Sequence, residues 1–254
     1  MRSSHYIEVE LNPNASGNAQ IAPLGDFHLG SGTCKTELIR EAVSKAVKER
    51  QYVLGMGDYL EVGTRHSVGA GVYSQSMIPE EQKELGIELF QPLADAGLLL
   101  GLIPGNHEQR TFRDDGIDIT ADLCRALQVP LLGHTCFVYA KVGEQRYDIY
   151  ATHGSAGATV PHTKVRAALE LFKYIDAEIV LYAHLHHLAH ETMEAFGIDR
   201  KNKCIKTMRR HVVLTGSFLG YRGSYAEQKN YMPAKIGYGV VNLGYDTHDI
   251  SVEI

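Results

Sequence analysis

The sequence is short of cysteine, long apolar runs and repeats, and each shortage excludes a class of protein. Four cysteines, Cys34, Cys124, Cys136 and Cys204, lie far apart among 254 residues and form no CxxC pair. They make neither a zinc knuckle nor a disulfide frame and are expected as reduced thiols. The longest strongly apolar stretch, Ala96 to Ile103, is far too short to span a bilayer, so no membrane is expected as a partner. The opening residues MRSSHYIEVELNPN hold no apolar signal-peptide core, and the expected location is the cytoplasm. No linker, repeat or low-complexity tract interrupts the chain. One domain over residues 1–254, without a capping domain, is therefore expected. Some 44% of residues are hydrophobic and 22% charged, which excludes a mostly disordered chain. With 25 Lys+Arg against 30 Asp+Glu the formal net charge is −5. That balance argues against a protein coated in nucleic acid but leaves room for a local basic patch. The excess lies in histidine, with 13 residues.

Periodicity places strands and helices alternately in the first half. Strands are expected over 19–26, 52–56 and 98–103. A helix over 35–50 has Leu38, Ile39, Ala42, Val43, Ala46 and Val47 at helical spacing. Another over 79–96 opens with Pro79 at its first position and acids in its first turn. A third is expected over 114–127. The second half reads as a hairpin of 136–142 and 147–152 and a helix over 161–173. Strands over 178–182, 188–195, 205–215, 237–243 and 249–254 complete it. The pattern implies an α/β fold of two mixed sheets packed face to face with helices outside. Segments that follow each strand then gather at one edge, where α/β sheets place their ligands.

Those segments carry the informative residues. In order they are Gly25-Asp26-Phe27-His28, Gly57-Asp58-Tyr59-Leu60-Glu61, Gly105-Asn106-His107-Glu108, Thr152-His153-Gly154 and Ala183-His184-Leu185-His186-His187. One polar group of metal-ligand type would mean little, but five in succession are hard to explain by packing. In an extended segment residues i and i+2 project to the same side, so Asp26 and His28 can share an ion, as can His184 and His186. Asp58 has two oxygens and suits a bridge between two ions. Asn106 offers a carbonyl oxygen and His153 an imidazole. Two cations about 3.5–4 Å apart can clamp a phosphate and hold a hydroxide between them. A His/Asp/Asn set without thiolate suits two divalent ions, Mn²⁺ first and Fe²⁺ or Zn²⁺ as alternatives.

These blocks resemble, in order, the D-x-H, G-D-x-x, G-N-H-[D/E], H and G-H-x-H signature of the calcineurin-like metallophosphoesterase superfamily. The resemblance implies a four-layer α/β/β/α sandwich. It implies one metal on Asp26, His28, Asp58 and His186, and another on Asp58, Asn106, His153 and His184. His107 would be the general acid that protonates the departing oxygen after attack by the bridging hydroxide. Two positions depart from the pattern. Ala183 replaces the usual glycine, at the cost of conformational freedom but of no ligand. Glu61 stands where protein phosphatases of the superfamily use a carboxylate to orient the general acid, and is expected to orient His107.

The resemblance implies a phosphoester substrate, and three readings compete. The His184-x-His186 pair resembles diesterases and repair nucleases, which favours a phosphodiesterase or nuclease acting on nucleic acid or nucleotides. A phosphomonoesterase or protein-phosphatase-like enzyme is the alternative, from the GDYLE and GNHEQR blocks. A non-catalytic metal-binding scaffold is the third, against which His107 speaks. The run 199–210 holds Arg200, Lys201, Lys203, Lys206, Arg209 and Arg210, on a hairpin expected to start just after the histidine pair. It is either a solvated tip or a phosphate-backbone contact near the site. The tyrosine-rich stretch 221–238 offers Arg222 and Tyr225, with Lys229, as substrate-binding residues, and loop 65–77 as a selector. His66, His134 and His162 are expected at the cleft's edge, His187 as structural, and His5, His211 and His248 as surface or sheet residues.

Overall fold

A computed structural model describes residues 3–67, 71–155 and 157–254. The chain begins with β1 (Ser4–Glu10), β2 (Asn18–Leu24), α1 (Thr36–Glu49), β3 (Tyr52–Gly55), α2 (Pro79–Asp95) and β4 (Leu99–Leu102). Two helices follow, α3 (Glu108–Asp115) and α4 (Ile119–Leu127), then β5 (Leu132–Val142), β6 (Gln145–Thr152) and α5 (Pro161–Leu169). The chain ends with β7 (Ile179–Tyr182), β8 (Leu188–Asp199), β9 (Cys204–Thr215), α6 (Tyr225–Gln228), β10 (Val240–Gly244) and β11 (Ile250–Glu253).

The described strands form two mixed sheets, ordered β11-β10-β2-β3-β4 and β1-β5-β6-β7-β9-β8. β2 and β3 are buried almost throughout, as parallel central strands covered on both faces must be. A core that includes Ile21, Leu24, Leu54, Val138, Ile149 and Val213 joins the two sheets and continues beneath α1, α2 and α4. A second cluster, with Ala168, Phe172, Val180, Tyr182, Val212 and Leu214, lies under α5. Helices thus cover both outer faces, and the α/β/β/α layering holds. Among the described residues no helix is long and apolar enough to cross a membrane.

Three elements differ from the sequence expectation. The helix expected over 114–127 divides, because Gly116 closes α3 in the left-handed conformation (φ 71°) and Asp118 caps α4 by accepting from the Ala121 amide. β1 was not expected, although Tyr6–Glu10 alternates. It is an edge strand paired in parallel with β5, and edge strands bury too little to show a strong pattern. The tyrosine-rich stretch is not wholly irregular, since Ser224 caps the short helix α6.

The parallel strands β2, β3 and β4 of one sheet, and β6 and β7 of the other, all end at the same edge of the sandwich. The five blocks begin there.

Candidate metal centre

The loops after β2 and β3 run on as a backbone ladder beyond the strands. Asp26, His28 and Leu29 donate their amides to the carbonyls of Gly57, Asp58 and Tyr59 at 2.8–3.0 Å. The loop after β4 is drawn tightly against them. A Cβ at Gly105 would collide with the amide nitrogen and Oδ1 of Asp58, so only glycine allows this approach. The buried carboxylate of Glu108 fastens the junction, accepting from the amides of Asp58, Leu60 and Gly105 at 2.9–3.0 Å. Its pKa rises to about 7, from burial and the nearby Asp58 charge.

Five ligand-type residues occupy the left-handed region: Asp26 (φ 50°), His28 (φ 51°), Asp58 (φ 50°), His184 (φ 67°) and His186 (φ 47°). Non-glycine residues are uncommon there, and such strain persists only where surrounding contacts over-determine it. This corrects the extended geometry expected for the two i, i+2 pairs. Asp26 and His28 do converge, through turns rather than strand alternation, whereas His184 and His186 part: His186 joins Asp26 and His28, and His184 joins Asp58 and His153.

The side chains meet as follows. His28 Nε2 lies 3.0 Å from His186 Nε2, and His186 Nε2 lies 3.2 Å from Asp26 Oδ1. His153 Nε2 is 3.1 Å from Asn106 Oδ1 and 3.3 Å from Asp58 Oδ2. The His153 and His184 rings lie 5.2 Å apart. Three groups of ligand atoms result, each within 4.8 Å: Asp26, His28 and His186; His28, Asp58 and His107; Asp58, His153 and His184. All seven expected ligands are therefore brought together, with Asp58 between the two ends.

The residues fit divalent cations on an observation independent of spacing. His184 Nδ1 is buried without any hydrogen-bond partner, and Asp26 Oδ1 has only the His186 ring nitrogen at 3.2 Å, out of hydrogen-bond geometry. Leaving buried acceptors unpaired costs about 1–3 kcal/mol each, a penalty that a bound ion removes. Supporting contacts point the same way. His153 Nδ1 bonds the Met56 carbonyl at 2.8 Å, which turns Nε2 inward, and Asp26 Oδ2 accepts from the His184 amide at 2.9 Å.

Without cations the cluster holds protons. Burial works against a charged imidazole at His153, but Asp58 and Asp26 outweigh it and raise its pKa to about 10. At His28 the same burial is overcome by Glu61, Asp58 and Asp26, and the pKa rises to about 9. His107 goes the other way, to about 4, because burial disfavours its charged form more than Asp58 favours it, and the neighbouring His28 charge adds to the lowering.

Glu61 is not placed as expected. Its Oε2 lies 3.0 Å from His28 Nδ1 and 3.6 Å from His107 Nδ1. His107 Nδ1 bonds instead the main-chain carbonyl of Glu61 at 2.9 Å. The carboxylate thus orients a ligand, and the backbone orients His107. Sequence reasoning passed over Arg110, whose Nη2 lies 2.8 Å from His107 Nε2. The signal was available: Arg110 follows His107 by one helical turn. It also passed over Glu108, read only as the last letter of its block.

The expected substrate residues follow directly on a segment that touches the cluster, where the Phe218 amide bonds the Asp26 carbonyl at 3.1 Å. Tyr225 packs against Tyr231 and Lys229, and Arg222 is exposed in the preceding turn. Among the described residues no hydrogen bond, ion pair or ring contact joins either to the ligands. The tip of the basic run is remote, whereas Arg209 and Arg210 lie midway along β9, opposite Glu194 and Met193. β8 leaves the histidine loop and runs away for 12 residues, which at about 3.3 Å per residue puts Asp199 roughly 36 Å from Leu188. Arg210 is engaged by Asp176 at 3.0 Å. Of the loop 65–77, residues 68–70 lie outside the described residues; its ends are held by Gln82, which bonds the Val62 amide and Gln75. His134 and His162 are exposed, whereas His211 is buried against His190. A cavity of about 820 Å³ lined by Arg146, Glu178, Arg209, His211 and Asp249 opens at the other end of these strands, away from the ligands.

No family model matches the sequence, and no curated protein matches it. Solved structures do. A conserved uncharacterized protein, described as a predicted phosphoesterase, from Streptococcus pneumoniae TIGR4 is 15% identical, with 93% of this chain and 98% of that chain covered and a TM-score of 0.40. A double mutant of Vps29 from Entamoeba histolytica is 15% identical over 92% and 89%, with a TM-score of 0.42. GAP50, the anchor in the inner membrane complex of Plasmodium, is 12% identical over 92% and 83%, with a TM-score of 0.41. The likeness concerns the fold alone; the site's own geometry carries the functional reading.

Proposed function

We propose that this protein is a metal-dependent phosphoester hydrolase, that its cations are Mn²⁺, and that its substrate is a phosphodiester in a nucleic acid or nucleotide. The observation that carries the hydrolase reading is the position of Asp58, whose carboxylate belongs to ligand groups on both sides of one buried cluster. Two divalent cations bound there supply a clamp for phosphoryl oxygens and activation of water. The chain's own residues do the rest. Asp26 and His186 on one side, and Asn106, His153 and His184 on the other, fix where the phosphoryl group sits. His107 stands beside them, its Nε2 3.9 Å from Asp58 Oδ2, in reach of an oxygen leaving that point. Its Nδ1 is committed to the Glu61 carbonyl, so Nε2 is the atom that would take up a proton and pass it on.

Support for a diester over a monoester comes from the paired His184 and His186, as in the diesterases they resemble. The basic hairpin does not add to it, because its charges lie far along β8 and β9. The four unpaired cysteines fit a cytoplasmic location. The test is a parallel assay of Mn²⁺-loaded protein on bis-p-nitrophenyl phosphate, p-nitrophenyl phosphate and single-stranded DNA. Diester or DNA cleavage well above monoester hydrolysis is expected. Monoester preference would overturn the substrate assignment, and silence on all three by a protein holding two cations would make it a scaffold.

A further inference from the structure

The arrangement at His107 contains a conflict. Its Nδ1 bonds a carbonyl and so carries the ring proton, which leaves Nε2 as an acceptor, and Arg110 Nη2 fills that acceptor at 2.8 Å. A guanidinium is always protonated and offers only donors. While it stays there, Nε2 can carry no proton, since two cationic donors would face each other. Arg110 must move before His107 can give a proton to anything, and it needs an acceptor to move to.

Nearby acceptors are few. Arg110 Nη1 already bonds the Glu61 carbonyl at 3.2 Å, and the Glu61 carboxylate, 3.9 Å away, is taken by His28. The side chain is 18% exposed, so it can reach an incoming molecule without leaving its helix. Charge favours an anion. Asp26, Asp58 and Glu61 supply three negative charges and Glu108, with its raised pKa, at most a fourth, so two divalent cations would at least match them and Arg110 leaves a positive surplus.

We propose that Arg110 binds the phosphoryl group of the substrate, its guanidinium leaving His107 Nε2 for a non-bridging oxygen held beside the ligand cluster. The exchange couples two events: arrival of the anion frees the imidazole nitrogen, which can then take a proton from water and pass it to the departing oxygen. The planar fork suits the task, because two parallel N–H groups match two phosphoryl oxygens. This inference rests on the phosphoester reading of the same site.

The experiment titrates inorganic phosphate into Mn²⁺-loaded protein by calorimetry, for wild type, Arg110→Gln, Arg110→Lys and Arg113→Gln. Arg110→Gln should weaken phosphate binding by about 10- to 100-fold, the range for losing a charge-assisted contact. Arg110→Lys keeps the charge without the fork and should fall between the two. Arg113→Gln, two-thirds exposed in the same helix, should bind as wild type. Bound metal, measured by mass spectrometry, should be equal in all four, and loss of kcat/KM on a diester should appear chiefly in KM. Unchanged phosphate affinity in Arg110→Gln would overturn the proposal. So would loss of metal from it, which would mark a structural role, or absence of phosphate binding to the wild type. Wild type that binds phosphate through Arg110 yet hydrolyses nothing would leave this inference standing and remove the hydrolase.

Discussion

The Nε2 atoms of His28 and His186, residues 158 positions apart in sequence, face each other at 3.0 Å across a point that Asp26 Oδ1 also addresses. Around an ion with ligands about 2.1 Å away, neighbouring ligand atoms sit about 3.0 Å apart at right angles and about 3.4 Å apart in a tetrahedron. The His28–His186, His186–Asp26 and His153–Asp58 spacings, 3.0, 3.2 and 3.3 Å, fall within those limits, while His28 Nε2 and Asp26 Oδ1 stand wider, at 3.9 Å. Side chains from opposite sheets are thus set at the edges of a coordination polyhedron.

Metal loading should expel protons. The raised pKa values, about 9 for His28 and about 10 for His153, mean that both rings are protonated in the metal-free protein at pH 7. Calorimetry in buffers of different ionisation enthalpy should therefore report about two protons released per chain, with cation affinity rising from pH 7 to pH 9. Because these pKa values exceed the ordinary histidine value, the stability they contribute is complete below about pH 6.5 and lost as pH rises through 9–10. The Tm of chelator-treated protein should fall across that window. A pH-independent affinity would contradict the ligand assignment.

Glu61→Gln separates two roles. With the carboxylate on His28, the substitution should lower cation affinity by about 10- to 100-fold, the usual effect of removing a ligand's supporting partner. Saturating Mn²⁺ should then restore most turnover. If the carboxylate served His107, metal content would stay intact while turnover fell, and metal titration would not rescue it.

His107→Asn should reduce turnover by about 10²- to 10⁴-fold with metal content unchanged. The loss should be larger for a diester with an alkoxide leaving group than for a p-nitrophenyl ester, whose departing oxygen needs little help. Equal losses on both substrates would take proton donation away from His107.

Glu108→Gln tests the fastening of the loops. The carboxylate accepts three amides with two oxygens, whereas a carboxamide turns an NH₂ group toward at least one of them. Urea denaturation should show a loss of about 1–3 kcal/mol, the cost of a buried donor without a partner. Wild-type stability would mean that the loops are held elsewhere.

Most of the architecture was legible because buried parallel strands and amphipathic helices write their periods plainly. The runs at β2 and β3, the helical spacing at α1 and the paired strands β5 and β6 all appear within a few residues of expectation. The ligands were legible for another reason: a metal site needs particular side chains, and side chains are what a sequence states. What could not be read was how those side chains arrive. Neither the left-handed backbone at Asp26 nor the exchange of partners at Glu61 leaves a mark in residue spacing. Both follow from the ladder between neighbouring loops, a contact between segments some thirty residues apart. The reach of β8 was half visible: the expected strand stopped at residue 195, because Phe196 and Ile198 lie on a face that no core covers.

The left-handed turns at Asp26, His28, Asp58, His184 and His186 bear on selectivity. Backbone forced into that region by neighbouring hydrogen bonds has little freedom to breathe. The five donors carried on these turns are therefore held in place by the fold itself. An ion too large for them must stretch several strained turns together, and one too small must leave some donors out of contact. The folding of the loops thus acts as a gauge, discriminating between cations by radius as well as by their taste for nitrogen and oxygen.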